Sequence, residues 1–147
     1  MSKFLETMRP TKIGIIACSG EALPEGTVTR IAARLVVEEL RPDDTVIMCL
    51  PLFLAGDEGE QNFAKFFPTI TIDGCEKLCS EKGTEKYSGK PTATIYVREV
   101  MKGKDIRLDS EEVVELGPNG MKLAKIIAEI TANKVDEILE KIRPKDA

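Results

Sequence analysis

Residues Ile13–Gly20 read IGIIACSG, a short apolar segment that ends in a cysteine and two residues typical of turns. Its apolar side chains follow one another without polar residues between them, which predicts a strand buried on both faces of a sheet. Such strands occur in parallel sheets that helices cover. The segment therefore indicates an α/β fold in which Cys18 follows the carboxyl end of the first strand.

The rest of the chain alternates between helical and strand patterns. Apolar residues recur at helical spacing from Val28 to Leu40, after a predicted cap at Thr27, and Gly83 is placed to end a later helix. Further strands are predicted at 45–50, 69–72 and 92–97, and further helices at 61–67, 75–81, 109–116 and 121–142. This order predicts one domain over residues 1–147, a three-layer α/β sandwich with a mainly parallel four-stranded sheet and helices on both faces.

Composition excludes several classes of protein. A chain of 147 residues with 42% hydrophobic and 31% charged residues can bury a core, which excludes intrinsic disorder. The net charge of −4 and the scattered basic residues argue against nucleic acid or an anionic membrane as partners. There is no apolar run long enough to span a membrane, and Met1–Pro10 lacks the apolar centre of a secretory signal. We therefore expect a soluble, cytoplasmic protein.

The chemistry of the chain is centred on its four cysteines, since it has no histidine. Without imidazole, a transition-metal site must be built from sulfur and oxygen. Cys18 and Cys49 lie at the ends of the first two predicted strands, and Cys75 follows the third. Cys79 lies one helical turn on, so both sulfurs of this pair are expected on one helix face. Because parallel strands end at the same edge of a sheet, all four thiols should arrive where open α/β folds bind ligands.

Four thiolates complete a tetrahedral shell of the kind that zinc prefers, which makes the four cysteines predicted zinc ligands. An iron-sulfur cluster could use the same ligands, although their spacing matches neither common ferredoxin pattern. Ser19 and Gly20 offer backbone amides beside Cys18, and Gly74 would let the backbone pass close to the ion or adopt a dihedral forbidden to other residues. Asp73 either caps the following helix or supports the metal site.

A shell closed by four sulfurs leaves no position for water, which argues against metal-activated hydrolysis. The sequence thus favours a structural or metal-handling role over an enzyme. The four cysteines also allow three other interpretations. Reduced cysteines are often small buried hydrophobes. A redox or persulfide-carrier protein would use Cys75, activated at a helix start, with Cys79 as its partner. A phosphatase loop would need arginine at the position of Pro24, and the sequence therefore disfavours it.

Residues Thr69–Cys79 read TITIDGCEKLC, which resembles the DGC-domain family of zinc-binding proteins, named after the triplet found here at Asp73, Gly74 and Cys75. The similarity extends to the Cys-Ser-Gly sequence after the first strand and to the Cys-Leu pair after the second. The resemblance implies a site that chelates metal through four cysteines. Each has a match in this chain, at Cys18, Cys49, Cys75 and Cys79.

Overall fold

The structure, a computed structural model, describes residues 12–142, so the prediction for Met1–Pro10 lies outside it. Its sheet has four strands, all parallel, in the order β2-β1-β3-β4. The strands are β1 (Ile13–Ala17), β2 (Thr45–Met48), β3 (Thr69–Asp73) and β4 (Ala93–Tyr96). The predicted α/β fold with a parallel four-stranded sheet is confirmed.

Six helices are found among the described residues. They are α1 (Pro24–Leu35), which continues as a π-helical segment (Val36–Leu40), α2 (Leu50–Leu54), α3 (Glu58–Phe66), α4 (Cys79–Tyr87), α5 (Val97–Lys104) and α6 (Pro118–Ile142). None of the helices within residues 12–142 is both long and apolar enough to span a membrane.

The two faces of β1 contribute to two different cores. Ile13 and Ile15 belong to the larger apolar cluster, to which α1 and α6 supply most of the other side chains. Ile16 belongs to a smaller cluster with residues of α2 and α3. A Cβ at Gly14 would lie 2.5 Å from the Sδ of Met48 and 2.8 Å from Cε1 of Phe63. Glycine at this strand position therefore lets α3 approach the sheet closely.

Four predicted details of the helices are wrong, and the first two concern α1 and the segment 109–116. The first helix begins at Pro24, whose fixed φ suits a first helical residue, and Thr27 is not its cap because its hydroxyl donates to the carbonyl of Val113. The segment 109–116 forms turns and not a helix. There the Glu112 carboxylate accepts hydrogen bonds from the backbone N–H groups of Asp109 and Gly117. These two groups therefore have partners without a helix.

The helix predicted at 75–81 begins four residues later, at Cys79, and runs to Tyr87. Gly83 was expected to end it but lies inside it. A Cβ at Gly83 would be 3.0 Å from Cδ2 of Leu54 and 3.5 Å from Cδ1 of Leu50, so the glycine permits close packing of α4 against α2. Helix α2 itself was not predicted, because five residues are too few to show helical periodicity.

The amino-terminal edge of the sheet is held by an ion pair between distant segments. Arg41, just before β2, donates from Nε to Oδ1 of Asp136 and from Nη2 to Oδ2, both at 2.8 Å. The hydroxyl of Thr45 donates to the Arg41 carbonyl at 2.7 Å. The bidentate contact with Arg41 lowers the pKa of Asp136. This pair links the start of β2 to α6.

Candidate functional site

A cavity of about 320 Å³, here called the sulfur cavity, opens at the carboxyl edge of the sheet and is lined by three of the four cysteines. Cys18 follows β1, and Cys75 and Cys79 follow β3. From β1 the chain passes to β2 on one side of it and then to β3 on the other side. The point where the strand order reverses therefore lies between β1 and β3. Ligands of open α/β sheets bind at such a point. The wall is formed by Cys18, Ser19, Gly20, Leu50, Pro51, Leu54, Asp73, Gly74, Cys75, Leu78 and Cys79.

Cys18 is buried and held by a defined hydrogen-bond network. Its backbone N–H donates to the carbonyl of Ile72 at 2.9 Å, which continues the β1–β3 pairing beyond Ala17. Its Sγ lies 3.3 Å from Oγ1 of Thr29, and that hydroxyl lies 2.7 Å from the Gly26 carbonyl. A threonine hydroxyl has one hydrogen to give. When Thr29 donates it to Gly26, the thiol of Cys18 is the donor to Oγ1.

Cys75 and Cys79 reach the sulfur cavity from a tight turn and not from one face of a helix, so that prediction is wrong. The Leu78 N–H donates to the Cys75 carbonyl at 3.1 Å. Leu78 has a φ of 52°, in the left-handed region, and its side chain lines the cavity between the two cysteines. Cys79 then begins α4. The turn nevertheless brings Cys75 and Cys79 to one cavity, as the predicted helix was expected to do.

Asp73 explains where α4 begins. Its carboxylate, 2% exposed, accepts the backbone N–H of Ser80 at 2.8 Å and that of Glu81 at 3.1 Å. Burial raises the pKa of Asp73, and these hydrogen bonds partly oppose the shift. Both carboxylate oxygens are therefore engaged in capping the first turn of α4, the first of the two roles considered for this residue.

The electrostatics of the sulfur cavity disfavour an activated thiol. Burial raises the pKa of Cys79, and the neighbouring Asp73, Cys18 and Cys75 raise it further, whereas Lys82 lowers it. The redox hypothesis required Cys75 at a helix start with a lowered pKa. Cys75 precedes the helix, and the cysteine that does begin it has a raised pKa. The structure therefore does not give Cys75 the helix-start position that the redox hypothesis assigned to it.

Gly74 fits the site for a reason different from the predicted one. Its φ is not positive, and a Cβ there would lie 2.8 Å from the backbone carbon of Glu25 and 2.9 Å from its oxygen. The close approach is thus to the first turn of α1. Ser19 and Gly20 also line the sulfur cavity, and the Gly20 carbonyl accepts a hydrogen bond from Arg30.

A cluster of ion pairs, formed by Glu25, Arg98 and Glu76, stabilises the carboxyl edge of the sheet and was not predicted from the sequence. The Glu25 side chain is only 10% exposed, and its Oε2 accepts Nε of Arg98 at 3.0 Å and Nη2 at 2.9 Å. Arg98 also donates to Glu76, next to Cys75. One guanidinium therefore links α1, the cysteine turn and α5. The sequence position of Arg98 could have revealed this role. Arg98 directly follows the predicted strand 92–97, so it had to lie at the same sheet edge as the cysteines.

Cys49 is placed differently from the other three cysteines. It lines a neighbouring cavity of about 450 Å³, here called the arginine cavity, and like Cys79 it is exposed. The lining residues are Ala17, Ser19, Arg30, Ala33, Arg34, Ile47, Met48, Cys49, Leu50, Pro51 and Glu60. Ser19, Leu50 and Pro51 line both cavities, so Cys49 lies across a shared wall from the sulfur cavity.

As the side chains stand, no three cysteine, aspartate or glutamate groups within residues 12–142 are close enough together to hold a metal ion. The donor chemistry nevertheless suits a thiophilic metal, because three thiols face one cavity and a fourth lies beyond its wall. A shared coordination shell requires these side chains to converge.

Comparison with protein families gives one match, to the DGC domain, over residues 14–118. The matched segment contains all four cysteines and the Asp-Gly-Cys triplet, and it extends further along the chain than the resemblance recognised from the motifs. Comparisons with curated proteins and with solved structures found no match.

Proposed function

The chain belongs to the DGC domain family, and from this premise we propose that it binds a zinc ion through the thiolates of Cys18, Cys49, Cys75 and Cys79, in a structural or metal-handling role. One observation carries the proposal: thiols from separate chain segments line a single cavity where the strand order of the sheet reverses. Packing alone does not require cysteines from separate segments to face a common space.

The donor set fits zinc better than it fits a harder cation. Thiolate is a soft ligand, and zinc accepts four sulfurs without a geometric demand from its d electrons. Asp73 is the carboxylate in the cavity wall, and both its oxygens already accept backbone hydrogen bonds. This supports Cys49 as the fourth ligand, since its side chain is exposed and free of the core.

Binding requires the thiols to converge, and two of the cysteines lie at short or irregular segments. Cys75 precedes a turn of non-helical residues, and Cys49 immediately precedes the five-residue helix α2. Zinc would supply a cross-link between the ends of β1, β2 and β3, and a shell of four sulfurs would leave it no open position for water.

The proposal is tested by metal analysis of protein prepared with zinc under reducing conditions. We expect about one zinc per chain, with X-ray absorption showing four sulfur neighbours near 2.3 Å. Replacing any one of the four cysteines with serine should lower the zinc content at limiting zinc, whereas replacing the exposed Ser110 with alanine should leave it unchanged.

The outcome separates the alternatives. A shell of three sulfurs and one oxygen, lost in Asp73→Asn and kept in Cys49→Ser, would replace Cys49 with Asp73 as the fourth ligand. A brown protein that contains iron and inorganic sulfide would support a cluster on the same cysteines. Metal-replete protein that contains neither zinc nor iron would refute metal binding.

A further inference from the structure

The arginine cavity combines positive charge with an apolar wall. Its basic groups are Arg30 and Arg34, one helical turn apart on α1, and its acidic group is Glu60 on α3. Burial raises the pKa of Glu60, and the backbone N–H of Cys49 partly opposes this shift. The lining thus has two guanidinium groups and one carboxylate, and each guanidinium also has an exposed carboxylate beside it, Glu21 at 3.8 Å from Arg30 and Glu38 at 3.2 Å from Arg34.

The two arginines differ in how firmly they are held. Arg30 donates to the Gly20 carbonyl and, at 3.1 Å, to Oγ1 of Thr27, which fixes its guanidinium group in place. Arg34 forms an ion pair with Glu38 at 3.2 Å, in which the side chains are 63% and 59% exposed. Ion pairs this exposed contribute little, so Arg34 can turn toward a ligand at small cost. The guanidinium group of Arg30 is thus preorganised, whereas that of Arg34 can change its position.

The rest of the cavity suits a small molecule with an apolar part. Ala33, Ile47 and Met48 supply apolar contacts, and the hydroxyl of Ser19 adds a hydrogen-bonding group. A volume of about 450 Å³ lies within the range of small-molecule sites. An apolar wall with a few converging charged groups is the usual composition of such sites.

We propose that the arginine cavity binds a small organic anion, with a carboxylate or phosphate head on the guanidinium groups of Arg30 and Arg34 and a short apolar body against Ile47 and Met48. The ligand would then lie beside Cys49. Guanidinium groups match both kinds of anionic head through paired N–H donors. The proposal goes beyond zinc binding and does not depend on it, because none of the groups that recognise the anion is a predicted zinc ligand.

Cys49 provides a built-in reporter for the test. In metal-free, reduced protein, the rate at which neutral iodoacetamide alkylates Cys49 is measured by peptide mass spectrometry. The measurement is repeated with butyrate, with its neutral analogue butyramide and with inorganic phosphate, all at constant ionic strength. A probe present at about ten times its dissociation constant should slow the labelling of Cys49 about tenfold. Cys79, which lines the other cavity, should be labelled at an unchanged rate.

Substitutions then assign the effect to the arginines. Arg34→Gln should remove most of the protection by the anion, as should Arg30→Gln. Arg34 makes only an exposed ion pair, so its variant keeps the test decisive even if loss of Arg30 disturbs the loop at Gly20. Arg107→Gln, at an exposed arginine outside this cavity, is the matched control and should keep full protection.

Protection by butyrate and not butyramide supports a carboxylate ligand, and protection by inorganic phosphate supports a phosphate ligand. Equal protection by butyrate and butyramide would overturn the proposal, because charge would then play no part. Protection by neither anion, or protection that persists in both arginine variants, would overturn it as well. None of these outcomes requires zinc, so failure here is distinguishable from failure of the metal site.

Discussion

The two edges of the sheet use ion pairs in different ways. At the amino-terminal edge, Arg41 and Asp136 join two segments across the surface, with side chains 29% and 47% exposed. At the carboxyl edge, Arg98 neutralises Glu25, whose side chain is 10% exposed, and Gly74 allows the backbone to pack directly on the same turn. The first pair can be lost cheaply, whereas the second leaves a buried charge when it is broken.

The difference indicates where this chain can tolerate substitution. The ion pair of Arg41 and Asp136 at the amino-terminal edge is partly exposed, so water can replace it. The carboxyl edge holds a buried carboxylate, three cysteines and a left-handed leucine within one cluster of turns. Substitutions there should alter the stability of the protein and also the proposed zinc binding.

The largest effect is expected from Gly74→Ala, which tests whether the carboxyl edge is as tightly packed as this comparison requires. The added Cβ would lie under 3.0 Å from two backbone atoms of Glu25, and backbone cannot easily move aside. We expect a loss of about 3 kcal/mol in the free energy of unfolding, measured by urea denaturation, together with weaker zinc binding. Gly103→Ala, in open space on α5, is the control and should leave stability equal or slightly higher. Equal behaviour of both variants would mean that the edge is loosely packed.

An intermediate effect is expected from Arg98→Gln. The substitution leaves the Glu25 carboxylate buried without its cation, which should lower the free energy of unfolding by about 2 kcal/mol. Glu25→Gln combined with Arg98→Gln should recover part of that loss, because the buried charge is then absent. A double-mutant cycle of urea denaturation curves measures this coupling. A coupling energy near zero would mean that Glu25 and Arg98 contribute no more to stability than an exposed ion pair does.

The smallest effect is expected at the amino-terminal edge. Asp136→Asn should lower the free energy of unfolding by only about 0.5 kcal/mol at neutral pH. Because Arg41 lowers the pKa of Asp136 in the folded protein, the pair stabilises the fold above the unfolded pKa of about 3.9, and this contribution is lost as the pH falls through the folded pKa. Urea denaturation of both proteins as a function of pH should therefore show the difference vanish in acid. A difference that persists there would have a cause other than the ion pair.

Much of the fold was predictable because it depends on local patterns. Continuous apolar runs identified the four strands, and their alternation with helical segments implied parallel pairing. These patterns also placed Cys18, Cys49 and Cys75 after successive strands, as the structure shows. The information lies in side-chain periodicity, which neighbours in the sequence reveal.

The details of the site were not predictable in the same way, because they depend on contacts between distant segments. Helix α4 begins at Cys79 since Asp73 caps the N–H groups of Ser80 and Glu81, and no propensity at 75–78 reveals this. Gly83 lies mid-helix because Leu54 approaches it. Cys49 follows its strand as expected, yet Leu50 and Pro51 direct it into a different cavity.

The left-handed Leu78 has a consequence for how the sulfur cavity treats charge. A leucine in this conformation costs about 1 to 2 kcal/mol, which a glycine would avoid. Unlike a glycine, Leu78 contributes an aliphatic side chain, and together with Leu50 and Leu54 it makes the lining beside the thiols apolar. In the zinc site proposed above, such a lining would strengthen the attraction between the cation and the thiolate sulfurs and would also raise the cost of removing water from these charges. The conformation of one residue thus helps to set the polarity of the space beside the thiols.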